Sequence, residues 1–157
     1  MIRTMLFVAT LLCLRPAAPD GAKVVYFPGA QMDAQLHKLP LNDIGESEIN
    51  LIERTSEHAA ILLRRTAPGK AEVHGHQADV WYVIDGGAVL VTGGTVVGGS
   101  PAGPGEIRGS SVAGGEEHPL AKGDFIRVPA GVPHWVKKIS GKEIVYIVVK
   151  YAETGGR

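Results

Sequence analysis

The sequence of 157 residues has one cysteine, an aromatic content of only 6% and no excess of either charge. Cys13 has no second cysteine in the chain, so an internal disulfide is excluded and packing or a metal must hold the fold. The formal net charge is zero, whereas nucleic acids and anionic membrane surfaces require concentrated positive charge. We therefore expect a small-molecule ligand or substrate and no nucleic-acid partner.

Long apolar runs are also scarce, and the longest lies at the N-terminus. Residues 5–14 (MLFVATLLCL) follow a short basic start and precede a segment of prolines and small residues, which is the pattern of a secretory signal. Ten apolar residues are too few to span a bilayer, which needs about 20. We expect residues 1–22 to be a signal peptide of a secreted or periplasmic protein without stable membrane insertion. A misassigned start codon or a short buried strand is the alternative.

Residues 23–157 have the length of one domain, and short strands separated by turns dominate them. Residues 30–39 place Met32, Leu36 and Leu39 on one stripe, which predicts a short helix. Residues 93–115 are too rich in glycine for a helix and predict a long loop with short strands at 95–97 and 110–112. The pattern indicates an all-β sandwich or barrel, with further strands predicted at 24–27, 49–55, 58–65, 71–76, 80–84, 88–92, 125–128, 134–139 and 144–150.

Asp85-Gly86-Gly87 is predicted to form a tight hairpin between two of these strands. Val80, Tyr82 and Ile84 are expected to share the outer face of the first of them, and residues 144–149 are apolar on both faces. Strands that are apolar on both faces need a second cover. A homodimer through the outer sheet, or packing by the N-terminal helix, could supply it.

Residues with metal-binding side chains concentrate in two segments. The first contains His74, His76 and Asp79, and the second delivers His134 just after the turn at residues 129–131. Alternate residues of a strand share a face, so His74 and His76 are expected to aim at one point. Three histidines and an acid are enough to hold a transition metal and to leave coordination positions open.

The first segment resembles the first motif of the cupin superfamily. That motif runs Gly, five residues, His-x-His, three or four residues, Glu, six residues, Gly. Here Gly69 is followed by four residues, His74-x-His76, two residues, Asp79, six residues and Gly86. The spacing before and after the histidines is therefore short, and the acid is an aspartate.

The second segment resembles the second cupin motif, which runs Gly, five residues, Pro-x-Gly, two residues, His, three residues, Asn. Gly123, Pro129, Gly131 and His134 fit it without a gap, and Lys138 stands at the final Asn position. The resemblance covers about residues 58–150. It implies a single antiparallel jelly-roll β-barrel with a short N-terminal helix.

The resemblance also implies a site for one divalent transition metal, which could be Fe, Mn, Cu, Ni or Zn. Metal-binding cupins use three histidines and a glutamate, so His74, His76 and His134 look like ligands and Asp79 like the fourth. Glu72 and Gln77 are expected to line the pocket as alternative oxygen donors. Trp81 lines the pocket or fills the barrel. The remaining histidines match no motif and are expected on the surface: His37, His58 and His118.

The leading functional hypothesis is a metal-dependent enzyme that acts on a small organic or sugar-derived substrate, with oxidation as the leading reaction. The first alternative is a non-catalytic cupin that binds a small ligand or a metal. The second is a purely structural barrel with unused histidines. Fold alone does not decide among them, and no general base or nucleophile is evident in the sequence.

Overall fold

A computed structural model describes residues 23–153 of the chain. The predicted signal peptide at residues 1–22 lies outside the described residues. Among those described, no helix has both the length and the apolar character needed to cross a membrane. One helix precedes eleven strands: α1 Gly29–Lys38, β1 Glu46–Asn50, β2 His58–Arg65, β3 Ala71–His74, β4 Gln77–Thr92, β5 Thr95–Val97, β6 Ser100–Gly103, β7 Glu106–Gly109, β8 Ser111–Ala113, β9 Glu116–Ala121, β10 Phe125–Val128 and β11 His134–Ala152.

The long strand β11 organises the main sheet. It pairs antiparallel with β4 over its whole length and with β2 over its C-terminal half, and it meets β3 at His134. The other edge of β4 pairs with β9 and β10. The β4–β11 register shifts at three places, including the stretch between Ile139 and Ile144. Such irregularities bend paired strands, and the all-β antiparallel prediction is confirmed.

The interior of the barrel is filled by alternate residues of β2, β4 and β11. Side chains of one parity face inward on each strand, and the ring of Trp81 stacks on that of Tyr146 with centroids 4.3 Å apart. Burying these large side chains is the main contribution to the stability of the fold. The inward-facing set from these strands includes Ile61, Leu63, Trp81, Val83, Ile144, Tyr146 and Val148.

The helix α1 covers part of the outer face of the sheet. Its Leu36 is fully buried and packs with Leu62 and Val145, and Ile84 and Ile147 border the same cluster. The predicted helix is therefore confirmed, and it supplies one of the two covers that the sequence left open. It does not reach Tyr82, which stays 50% exposed.

The predicted hairpin at Asp85-Gly86-Gly87 is wrong, because β4 runs without interruption from Gln77 to Thr92. Gly86 has φ of +70°, and a Cβ at this position would lie only 2.0 Å from the carbonyl oxygen of Glu143. The glycine therefore permits a bend in a continuous strand against β11 and does not reverse the chain.

The glycine-rich segment is more ordered than predicted. Instead of one long loop, residues 93–115 form β5 to β8, which include the short strands expected near 95–97 and 110–112. Gly98 and Gly105 have φ of +62° and +73°, a conformation that lets the chain turn sharply between these strands. Two other strand predictions fail: residues 24–27 form no strand, and β1 begins at Glu46 and ends at Asn50.

Candidate metal site

The candidate site lies where the end of β3 meets the start of β11. Glu72 and His74 alternate on β3 and so share one face, and His134 is the Cα partner of Glu72 in the β3–β11 pair. The Gly131 amide donates a hydrogen bond of 2.8 Å to the His74 carbonyl. This contact fastens the turn before His134 to β3. Asp79 on β4 completes the group, which we call the four-residue cluster.

Three members of the four-residue cluster bring donor atoms together, and Asp79 lies beside two of them. Single donor atoms of Glu72, His74 and His134 all lie within 4.8 Å of one another. Glu72 Oε2 is 3.3 Å from His74 Nε2 and 3.9 Å from His134 Nε2, and Asp79 Oδ2 is 3.7 Å from each of these nitrogens. Two atoms that each lie about 2.0–2.2 Å from one ion can be at most about 4.4 Å apart.

Hydrogen bonds orient both imidazoles toward the cluster. His74 Nδ1 donates to Glu106 Oε2 at 2.7 Å, and His134 Nδ1 donates to the Val132 carbonyl at 3.2 Å. Arg108 Nη1 in turn holds Glu106 at 2.9 Å. Each Nε2 therefore turns its lone pair inward, and partners of this kind fix the tautomer of metal-ligating histidines in proteins.

His134 Nε2 is buried and accepts no hydrogen bond from any residue of the described range 23–153. Burial lowers the pKa of His134, despite the opposing charges of Asp79 and Glu72, so the ring is neutral at pH 7. Burial raises the pKa of the Glu72 carboxyl, but His74 and Arg108 outweigh burial and lower it below the usual range. A neutral imidazole and an ionised carboxylate are the forms that bind metals, so these residues fit a metal ion.

Lys150 is a member of the site that the sequence analysis did not identify. Its Nζ donates to both carboxylate oxygens of Asp79, at 2.6 and 2.7 Å, and to His74 Nε2 at 2.8 Å. It lies directly across the strand pair from Asp79. A metal that binds His74 Nε2 requires the ammonium group to leave that nitrogen.

The structure does not bring His76 into the cluster. Strand β3 ends at His74, the chain bends at Gly75 and His76, and the His76 side chain is exposed. The prediction that one strand carries both histidines on one face is therefore wrong. Gly105 packs closely against the His76 ring, and the Glu153 amide donates a hydrogen bond to the His76 carbonyl. These contacts hold His76 at the bend that follows β3.

Of the other residues that the sequence predicted at the pocket, two line the cavity and one does not. Gln77 donates to the carbonyls of Thr55 and Ser56, at 3.3 and 3.0 Å, and is not among the residues that line the cavity. Glu72 lines it. Trp81 both lines the cavity and fills the barrel, and its Nε1 donates to Asp79 Oδ2 at 3.3 Å.

The spacing of the first motif could have identified Glu72. Glu72-x-His74 is followed by four residues, Asp79, six residues and Gly86, which fits the motif after its first glycine, with glutamate at the first histidine position. The sequence interpretation was thus displaced by two residues. Lys150 also carried a signal, because it shares strand parity with the inward-facing Tyr146.

Comparisons with known proteins agree with this architecture. The Cupin_2 family model, described as a cupin domain, matches residues 105–150. No curated protein matches the chain. The solved structure of TT1209 from Thermus thermophilus is similar over 76% of this chain and 92% of that chain, with 21% identity and a TM-score of 0.53.

Two further solved structures share the fold at lower identity. The cupin domain of Cnp3 from Schizosaccharomyces pombe is 13% identical over 76% of this chain and 72% of that chain, with a TM-score of 0.54. A protein described as a predicted oxalate decarboxylase from Thermotoga maritima is 10% identical over 69% and 81%, with a TM-score of 0.51. The described residues thus share the fold of these structures, a barrel of the jelly-roll type, and residues 105–150 match the cupin-domain model.

Proposed function

We propose that the four-residue cluster binds one divalent transition metal and that the protein is a metal-dependent enzyme acting on a small organic substrate. The observation that carries the proposal is the buried Nε2 of His134, which has no hydrogen-bond partner in the described part of the chain and faces two carboxylates. An unsatisfied buried nitrogen is rare in native proteins and calls for a partner such as an ion. Two histidines with one or two carboxylates form a donor set of the kind used by non-haem iron enzymes.

A cavity beside the cluster supports a substrate-binding role. It has a volume of roughly 170 Å³ and is lined on one side by the cluster and on another by Trp81 and Tyr146. A bound metal would polarise a substrate oxygen or supply redox chemistry. The fold neighbour described as a predicted oxalate decarboxylase makes organic acids reasonable first substrates to test, with oxidation as the leading reaction.

Metal analysis of protein purified without chelators tests the proposal, followed by measurement of O₂ uptake with the retained metal and a panel of small organic acids and sugars. We expect close to one transition-metal ion per chain. A protein that carries no metal, and that takes up none from buffered Fe²⁺, Mn²⁺ or Zn²⁺, would refute the metal assignment.

A non-catalytic binding module is the second candidate, and Lys150 is the observation in its favour. The ammonium group satisfies Asp79 and His74 Nε2 without any metal. If this candidate is correct, the protein will be fully folded when metal-free and will show no turnover with any metal. The O₂-uptake and turnover measurements with the retained metal therefore discriminate between the two functions.

We also propose a homodimer, formed through the part of the outer sheet that α1 leaves uncovered. Tyr82, Phe125 and Val149 are 50%, 66% and 41% exposed there, and Phe125 lies directly opposite Tyr82 on the paired strands β10 and β4. Contiguous exposed apolar side chains on a sheet mark interaction surfaces.

We propose separately that residues 1–22 direct export of the protein. The size and location of the mature protein in a secreting host would test this proposal.

We expect the double variant Tyr82→Lys and Phe125→Lys to be monomeric at micromolar concentration, because it places four charges in the interface of a two-fold dimer. Light scattering coupled to size exclusion measures the mass. Val97→Lys is the matched control, since Val97 is also exposed but lies on β5, and it should remain dimeric. A wild-type chain that is monomeric at these concentrations contradicts the dimer.

A further inference from the structure

Arg65 ends β2 inside the barrel, and much of its guanidinium group has no partner. It follows Ile61 and Leu63 on the inward parity of the strand, and its side chain is only 7% exposed. Nη2 donates to Glu46, but Nε and Nη1 are buried and have no hydrogen-bond partner among the residues that the structure describes. A guanidinium carries five N–H donors, so three of them lack an acceptor.

Arg65 lines the same cavity as the four-residue cluster. The stacked rings of Trp81 and Tyr146 connect the two ends: the edge of Trp81 meets His134 with centroids 6.2 Å apart, and Tyr146 lies beside the guanidinium of Arg65. The cavity is thus lined both by Arg65, which has unsatisfied donors, and by His134, whose Nε2 is an unsatisfied acceptor among the described residues.

The charges around the cavity favour an anion at Arg65. Three of the other cations that line it are held by acids, Arg54 by Glu48, Arg108 by Glu106 and Lys150 by Asp79. Lys70 also lines the cavity and pairs with no acid among the described residues. The partners of Arg65 are Glu46, which contacts a single nitrogen of the guanidinium, and the neighbouring hydroxyl of Tyr146. Charge-assisted hydrogen bonds to carboxylates are among the strongest that an arginine makes.

We infer that the cavity binds a small organic carboxylate, whose oxygens accept hydrogen bonds from Nε or Nη1 of Arg65 and whose carbon skeleton lies against Trp81 and Tyr146. The cavity volume of roughly 170 Å³ is below the 300–1,000 Å³ of sites for drug-sized ligands, so the anion is small. Its role as the substrate rests on the proposed function, whereas its binding to Arg65 requires no metal.

Gly69 provides an independent way to disturb the site. A Cβ at Gly69 would lie 2.2 Å from Arg65 Nη1 and 2.9 Å from its Cζ, so an alanine there displaces the guanidinium without removing its charge. The backbone of Gly69 bonds to the Val136 carbonyl and to Trp135 Nε1, and alanine leaves both contacts available.

The test compares carboxylates with amides of the same shape on chelator-treated, full-length protein. Propionate and benzoate are titrated against propionamide and benzamide, and binding is followed by calorimetry and ligand-detected NMR. We expect at least one carboxylate to bind and its amide to bind at least tenfold more weakly. Arg65→Met should weaken carboxylate binding by about 10- to 100-fold, since hydrogen bonds to charged groups are of that magnitude.

Arg64→Met is the matched control, because Arg64 is the adjacent residue of β2, has the opposite parity and pairs with Glu143. It should bind the carboxylate as the wild type does. If Arg65→Met does not fold, Gly69→Ala decides, and we expect it to weaken binding at least tenfold. The inference is overturned if neither carboxylate binds, if acids and amides bind equally, or if the deciding variant binds like Arg64→Met.

The two proposals fail separately in this design. Metal content reports on the four-residue cluster and is expected to be unchanged in Arg65→Met and Gly69→Ala, since neither residue belongs to it. Carboxylate binding is measured without metal. A protein that binds carboxylates but never retains metal would refute the enzyme proposal alone.

Discussion

The variant His134→Ala is expected to retain no metal after gel filtration, with an affinity more than about a hundredfold below that of the wild type. Loss of a hydrogen-bond partner of a metal ligand alone costs about 10- to 100-fold in metal affinity, and this change removes a direct donor. His134 Nε2 is the one nitrogen of the cluster that no other group satisfies. Metal content by mass spectrometry and competition with a chromogenic chelator provide the measurement.

The matched control is His76→Ala. The cupin-like sequence pattern includes both His74 and His76, but the structure places only His74 at the cluster and leaves His76 exposed. We therefore expect His76→Ala to keep its metal and Glu72→Gln to lose most of it. Equal loss in His76→Ala and His134→Ala would restore His76 as a ligand, and retention of metal by His134→Ala would reject the site.

The sequence was sufficient to predict those parts of the fold that depend on local pattern. Strand β2 was predicted at its observed bounds, 58–65, because apolar residues and flanking turns define it without reference to the rest of the chain. The short helix is likewise close to its observed range. The turn at residues 129–131 was recognised from Pro129 and Gly131. In the structure Gly131 has φ of +79°, a conformation that favours glycine.

Long-range pairing decided the features that the sequence could not predict. Asp85-Gly86-Gly87 has the composition of a tight turn, but β11 pairs with β4 across it and keeps the strand continuous. The alternation of Glu72, His74 and His76 was correctly phased, yet β3 ends before His76. Pattern gives the face of each residue in a strand, and only the strand bounds show which residues reach the site.

In the candidate site, too, local pattern predicted some residues and long-range strand pairing decided the others. Asp79 and His134 were predicted from the motifs and do lie together in the structure, although their ligand role stays a prediction. Glu106 comes from the glycine-rich segment and meets His74 only because β7 pairs with β3. No local pattern indicates this contact. Arg65 and Lys150 offered a weaker sign, as charged residues at positions of inward parity on apolar strands.

The ion pair between Lys150 and Asp79 leads to the second large prediction. Both groups are well buried, with side chains 15% and 3% exposed. Removal of one partner from a buried ion pair costs about 3–5 kcal/mol, because the other charge is left unpaired. We therefore expect Lys150→Met to lower the free energy of unfolding of metal-free protein by about 3 kcal/mol, as measured by urea denaturation with a chelator present.

Metal should restore part of this loss. In Lys150→Met the carboxylate of Asp79 and Nε2 of His74 have no ammonium partner. A divalent ion can therefore bind both groups without first displacing Lys150. At the same Zn²⁺ concentration the variant should gain more stability than the wild type gains, since the stabilisation by a ligand grows with the logarithm of its affinity for the folded state. Lys137 lies on the same strand as Lys150 and forms an exposed ion pair with Glu117. The control variant Lys137→Met should cost less than about 1 kcal/mol of folding free energy and leave the response to Zn²⁺ unchanged. Equal Zn²⁺ stabilisation of Lys150→Met and wild type would show that the ammonium and the metal do not share Asp79 and His74.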